Sequence, residues 1–79
     1  MKENIIQFPQ YRILSNKKSL YKILDDRNFE EIQFVGSKKK HYVILAEQYP
    51  EILKIQDMLS LFEGLYVKIS EDEWLKNVD

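Results

Sequence analysis

EIQFVGSKKKHYVILA, residues 31–46, is the stretch on which the fold turns. Ile32 and Phe34 recur at a period of two, Gly36 ends the run, and Gly36-Ser37-Lys38-Lys39-Lys40 forms a short polar tip. Alternation of this kind marks a strand, and a glycine beside polar residues marks a reversal. The return segment, His41 to Ala46, carries Tyr42, Val43, Ile44 and Leu45 in unbroken apolar order. A strand needs such a run when both its faces are covered, so the return segment is predicted to be central in a sheet. Together the two segments predict a β-hairpin.

Toward the N-terminus, Leu20, Ile23, Leu24 and Arg27 share one helical face while Lys17, Lys18, Lys22, Asp25 and Asp26 turn outward. With Ser15 or Asn16 as the cap, this spacing predicts a helix from about Lys17 to Arg27. Tyr11 to Leu14 predicts a strand, and the run from Asn4 to Phe8, closed by Pro9, an arm or edge strand. Toward the C-terminus, Pro50 suits the first position of a helix, and Ile52, Ile55, Met58, Leu59 and Phe62 form its apolar stripe. Gly64 is the expected left-handed stop. Leu65, Val67 and Ile69 alternate with Tyr66, Lys68 and Ser70, a half-buried strand. Glu73 three residues after Ser70 matches a capping box, so Trp74 and Leu75 are placed on a short terminal helix.

The resulting order is strand, helix, strand, strand, helix, strand. Right-handed crossovers then give a ferredoxin-like split βαββαβ, a four-stranded antiparallel sheet with two helices on one face and the other face open. The expectation is one α+β domain over residues 1–79, with an N-terminal arm or edge strand at 1–9, a core at 10–70 and a C-terminal helical turn at 71–79.

Composition agrees with a small folded domain. Hydrophobic residues make up 44% and charged residues 32%, too balanced for disorder and too interrupted for a membrane span. There is no cysteine and one histidine, His41, so neither a disulfide nor a Cys/His zinc site can staple the fold. No metal or other cofactor is expected. No basic segment followed by an apolar run opens the sequence, which reads as a cytoplasmic protein. Ten Lys against two Arg, nine Ile and one Ala point to an A+T-rich coding sequence, as in low-GC bacteria and phages.

Catalytic constellations are sparse. His41 lies beside three lysines, where a solvated side chain is expected, and the acidic pairs Asp25-Asp26 and Glu30-Glu31 are adjacent in sequence and so diverge in space. Two glycines 28 positions apart cannot build a phosphate loop. The reading is that the chain is not an enzyme. Charge is divided: residues 1–41 carry a net +4 and residues 42–79 a net −5.

The strand order resembles that of the RNA recognition motif. Tyr11-Arg12-Ile13-Leu14-Ser15-Asn16 stands where that family has its first-strand motif, and Lys40-His41-Tyr42-Val43-Ile44-Leu45 where it has the third. Tyr42 matches a base-stacking position, Arg12 and Ile44 stand where further aromatics belong, and the third-strand glycine is missing. The resemblance implies single-stranded RNA or DNA binding by Arg12 and Tyr42 with Lys17 and Lys18. Gln56 to Phe62 resembles the Leu-Ser-Leu-Phe end of bacterial sliding-clamp peptides, but Leu59 and Phe62 also fit the apolar face of a helix. Ile32 to Ala46 is similar to small YlbG-like proteins, which implies no activity.

The function expected from the sequence is a regulatory or accessory module that binds another protein, a second copy of itself included, across the open sheet face. Its contact residues are expected to be Phe8, Tyr11 and Tyr42, rimmed by Lys38, Lys39 and Lys40. Nucleic-acid binding is the competing reading.

Overall fold

The structure, a computed structural model, describes residues 7–78. It is an α+β domain with five antiparallel strands: β1 (Gln10–Leu14), β2 (Ser19–Ile23), β3 (Asn28–Val35), β4 (Lys38–Leu45) and β5 (Tyr66–Lys68). Helix α1 (Tyr49–Ser60) and a single 3-10 turn (Phe62–Gly64) separate β4 from β5, and α2 (Glu71–Asn77) follows β5. The sheet order is β4-β3-β2-β1-β5. The first four strands form a meander, and β5 joins it beyond β1.

This order replaces the ferredoxin-like expectation at one decisive point: residues 19–23 form a strand, not the core of a helix. Leu20 and Ile23 have helical spacing, but Ser19, Leu20, Tyr21 and Ile23 are all buried, which requires cover on both faces of an extended segment. Local turns fix the choice. Lys17 is left-handed at φ 65° and the Lys18 amide donates to Asn16 Oδ1 at 2.8 Å, so Asn16 closes a hairpin where a helix cap was expected. With β2 in the sheet, the first crossover disappears and four strands become five.

The helices also divide between the faces. Tyr21, Ile23 and Phe29 pack under Ile55 and Met58 of α1, joined by Ala46 and, more peripherally, Phe8, Leu14 and Ile44. On the opposite face Tyr11, Leu20 and Ile32 pack around Trp74 of α2, with Ile13, Phe34, Ile69 and Val78 at the margin. The predicted arrangement of both helices on one face, with the other open, is therefore corrected. The terminal helix is part of the core. Residues 1–6 of the expected arm lie outside the described residues, while Phe8 is half-buried against the α1-side core.

Two helix-start readings hold, and the expected helix stop at Gly64 does not. Pro50 sits in the first turn of α1, and the Ser70 hydroxyl accepts from the Glu73 amide at 3.1 Å to start α2. The left-handed residue that ends α1 is Leu61, at φ 57°, and Gly64 at φ 71° belongs to the following turn. No described helix is long and apolar enough to cross a membrane.

The β2–β3 turn is organised by Asp25, whose Oδ1 accepts from the amides of Arg27 and Asn28, both at 2.8 Å, and from the Asn28 side chain at 3.0 Å. The Arg27 amide, followed by the Asn28 side chain, holds this carboxyl below its ordinary 3.8. A depressed folded value stabilises the fold above the unfolded value, and the contribution fades as pH falls through the folded value. The gap in urea midpoint between wild type and Asp25→Ala is therefore expected to be full near neutrality and to narrow below pH 3.8. A gap that stays constant into strong acid contradicts this account.

Candidate functional site

Among the described strands, β4 forms one edge of the sheet. Its register against β3 runs from Asn28↔Leu45 to Val35↔Lys38. On the β2 side of β3, the Phe34 amide donates to Lys18 O and Asn28 O accepts from Leu24, both at 2.9 Å. In an antiparallel ladder the amide and carbonyl of a residue point the same way and alternate along the strand. Phe29, Glu31, Gln33 and Val35 therefore bond toward β4, engaging Ile44, Tyr42, Lys40 and Lys38. The backbones of His41, Val43 and Leu45 turn outward, where no described strand pairs with them.

Side chains make this edge more than a bare backbone. Val43 is 74% exposed, Leu45 55% and Tyr42 41%. The run read from sequence as a central strand, covered on both faces, instead lies at the sheet's edge. Burial was the wrong inference, although the strand itself was right. The opposite edge, β5, has only three residues.

Charge is ordered along the strands. Because β1 to β4 form a meander, the β1–β2 turn and the β3–β4 tip share one end of the sheet, and Phe34 links Lys18 through its amide to Lys39 through the β4 register. Lys17, Lys18, Lys38, Lys39 and Lys40 are all exposed at that end, with the Lys39 ammonium donating to Asn77 O at 2.9 Å. The other end holds Asp25, Asp26 and the exposed Arg27 and, after β4, Glu47, brought near by the Ala46 amide donating to Arg27 O at 2.7 Å, so it is acidic on balance.

The remaining candidates fall differently. Tyr11, expected for exposed aromatic area, is buried with its ring 6.2 Å from that of Trp74, and burial, then the charges of Glu71 and Glu30, push its hydroxyl up. Arg12, expected to stack on a base, is buried and donates to Met58 O and Tyr11 O at 2.8 Å each, and to Gln10 Oε1. Burial pulls its guanidinium below the ordinary value. Phe8 packs on the core. Of the expected contact residues, Tyr42 and the three lysines share the β4 strand.

His41 was read as a solvated tip residue, and its ring has a defined setting that sequence did not reveal. Nε2 lies 2.8 Å from Glu30 Oε1, and the ring stands edge-on to Trp74 at 5.9 Å. Cross-strand neighbours become visible only once the register is known. His41, Lys39, Ile32, Asn77 and Val78 line a shallow, open cleft of about 290 Å³ that contains no hydroxyl or thiol nucleophile. Among the described residues, no three of the His, Asp and Glu side chains gather as a metal site requires.

A polar group is also built into the α1 side of the core. Glu31 is buried, accepts from Gln33 Nε2 at 3.1 Å and faces Tyr21, whose hydroxyl is pushed up by burial first and by the Glu31 charge second. Lys54 of α1 stands 5.0 Å above the Tyr21 ring. These groups are satisfied within the fold. The clamp-like string is helical through Ser60, with Met58 buried and Phe62 exposed beyond the helix end.

Comparison of the chain with models of protein families, with curated proteins and with solved structures gives no match.

Proposed function

We propose that the chain is a non-enzymatic regulatory or accessory module that binds a protein by accepting an extended segment along β4. The observation that carries this reading is the pairing of outward backbone groups at His41, Val43 and Leu45 with exposed apolar side chains at Tyr42, Val43 and Leu45. Strand addition uses both: backbone hydrogen bonds supply affinity, and alternate side chains supply selectivity. Lys38 to Lys40 guard only the first part of the edge, as charges do where edge pairing is unwanted. The rest is left attractive.

Val43→Pro tests the reading. Its amide points away from β3, so proline removes an outward donor without breaking the internal ladder, a position that edge strands tolerate. Proteins retained from a lysate of the source cell by immobilised wild-type chain are expected to be lost from the variant while its far-UV circular dichroism shows the fold retained. Equal retention by both refutes edge binding.

The gathered lysines at the hairpin end favour a second reading, single-stranded nucleic acid held electrostatically with Tyr42 as a stacking platform. It draws no support from a first-strand motif, since Arg12 and Tyr11 are buried. Anisotropy titration with single-stranded RNA and DNA at two salt concentrations separates the readings. Tight binding with a steep salt slope would move nucleic acid to first place.

A further inference from the structure

We propose that the segment added to β4 is β4 of a second copy, in antiparallel register about a two-fold axis at Val43, joining two five-stranded sheets into one. This rests on the edge-binding reading and names its partner. Three observations select it. The first is the edge itself: among the described strands only β3 flanks β4, and Tyr42, Val43 and Leu45 stand exposed along it. A second β4 supplies the missing neighbour, with a matching apolar run.

The second observation is polarity of charge along the edge. Lysines 38–40 lie at one end, and Asp25, Asp26 and Glu47, with Arg27 among them, at the other, which stays acidic on balance. Antiparallel pairing lays the basic end of each copy beside the acidic end of its mate. Parallel pairing would stack lysine on lysine and is disfavoured by like-charge repulsion. The whole chain carries a net charge of only −1, so long-range repulsion between copies is slight.

The third is backbone phase, which fixes the allowed registers. Outward-facing residues must oppose outward-facing residues, so His41, Val43 and Leu45 pair only among odd-numbered positions. Centring on Val43 sets Val43 against its own copy, His41 against Leu45 and Tyr42 against Ile44. It also carries the lysines past the apolar run to residues 46–48, where Glu47 lies. An isologous contact of this kind closes on itself and does not propagate into fibres.

The absence of cysteine makes a background-free test available. Opposed residues of a hydrogen-bonded pair have Cα atoms about 5.5 Å apart, within disulfide range. Val43→Cys is therefore expected to form a covalent dimer rapidly on mild oxidation, at least ten-fold faster than His41→Cys or Leu45→Cys alone. Sedimentation equilibrium of the wild-type chain over a hundred-fold concentration range is expected to show a monomer–dimer equilibrium, and Val43→Pro to raise its dissociation constant at least ten-fold.

A strict monomer whose Val43 amide exchanges freely overturns self-pairing. If the Val43→Pro-sensitive lysate partners persist in that case, edge binding itself survives. A monomer with a protected Val43 amide also overturns self-pairing. A dimer indifferent to Val43→Pro, with no preference for crosslinking at 43, overturns self-pairing along β4, and edge binding then stands or falls on the lysate retention alone.

Discussion

Replacing Trp74 with alanine is expected to destabilise the domain by about 3–5 kcal/mol, the range for truncating a buried aromatic. The side chain is 1% exposed and sits at the centre of the core between the sheet and α2. Its ring meets Tyr11 at 6.2 Å and the His41 ring at 5.9 Å, and Leu20 and Ile32 share its cluster, so deletion empties a volume lined from four strands. Seven residues cannot hold a helix without tertiary contact, and Trp74 is the only buried residue of α2. The Ser70 cap contributes about 1 kcal/mol, which is not enough to retain the helix alone. A small domain has roughly 5–10 kcal/mol in total, so most of the population should unfold within modest heating. At about 4–8 °C per kcal/mol, Tm falls by at least roughly 12 °C. Leu75→Ala, at an exposed neighbouring position, should change stability by less than about 0.5 kcal/mol. Urea unfolding followed by far-UV circular dichroism measures both. A Trp74→Ala loss below about 1 kcal/mol would mean that α2 does not seal this face.

Much of that architecture is legible in the sequence because it rests on local chemistry. Ile32 and Phe34 alternate and Gly36 breaks the run, so the β3–β4 hairpin is written in seven or eight residues at a time. Pro50 and the stripe through Ile55 and Met58 specify α1, and Ser70 with Glu73 specifies the start of α2. Strand β2 is different. Leu20, Ile23 and Leu24 fit an amphipathic helix, whereas a strand buried on both faces has no periodicity to advertise. Only the placement of α1 and α2 on opposite faces explains why Leu20 and Tyr21, adjacent in sequence, are both buried.

That one element decides how much of the site could be read. With a helix at 17–27, the apolar Tyr42 to Leu45 run belongs inside a sheet; with a strand there, β1 to β4 become a meander and β4 moves to the rim. The same change gathers Lys17 and Lys18 with Lys38 to Lys40, which two separate reversals of a split βαββαβ need not do. Tyr42 and the lysines were legible as exposed chemistry. The outward phase of Val43 and the Glu30–His41 contact were not, because both depend on register, and register is set by strand pairing across the sheet.

Arg12→Met is expected to destabilise the domain by about 2–4 kcal/mol, although methionine keeps most of the buried volume. Helix α1 has no basic residue in its last turn, and its terminal carbonyls need donors. Arg12 reaches from β1 to supply one, Nε donating to Met58 O at 2.8 Å, and sets a positive charge at the negative end of the helix dipole. Its other bonds go to Tyr11 O and the Gln10 side chain, so among the described residues its partners are carbonyl oxygens. Replacing a complete buried ion pair with apolar residues is often neutral, but here the acceptors remain after the donor is removed. The Met58 carbonyl keeps only the long 3.4 Å contact from the Leu61 amide, and each stranded carbonyl costs about 1–3 kcal/mol. Arg12→Lys should recover little, because one ammonium cannot span acceptors on β1 and α1 together. Hydrogen exchange is expected to quicken from Leu61 to Leu65, where the helix end loosens, and to stay unchanged along β4. The decisive contrast is functional: a buried guanidinium releases no counterions, so the salt slope of any oligonucleotide binding should be the same in wild type and Arg12→Met. A reduced slope with unchanged stability would place Arg12 on the surface and restore the first-strand reading that its burial removes.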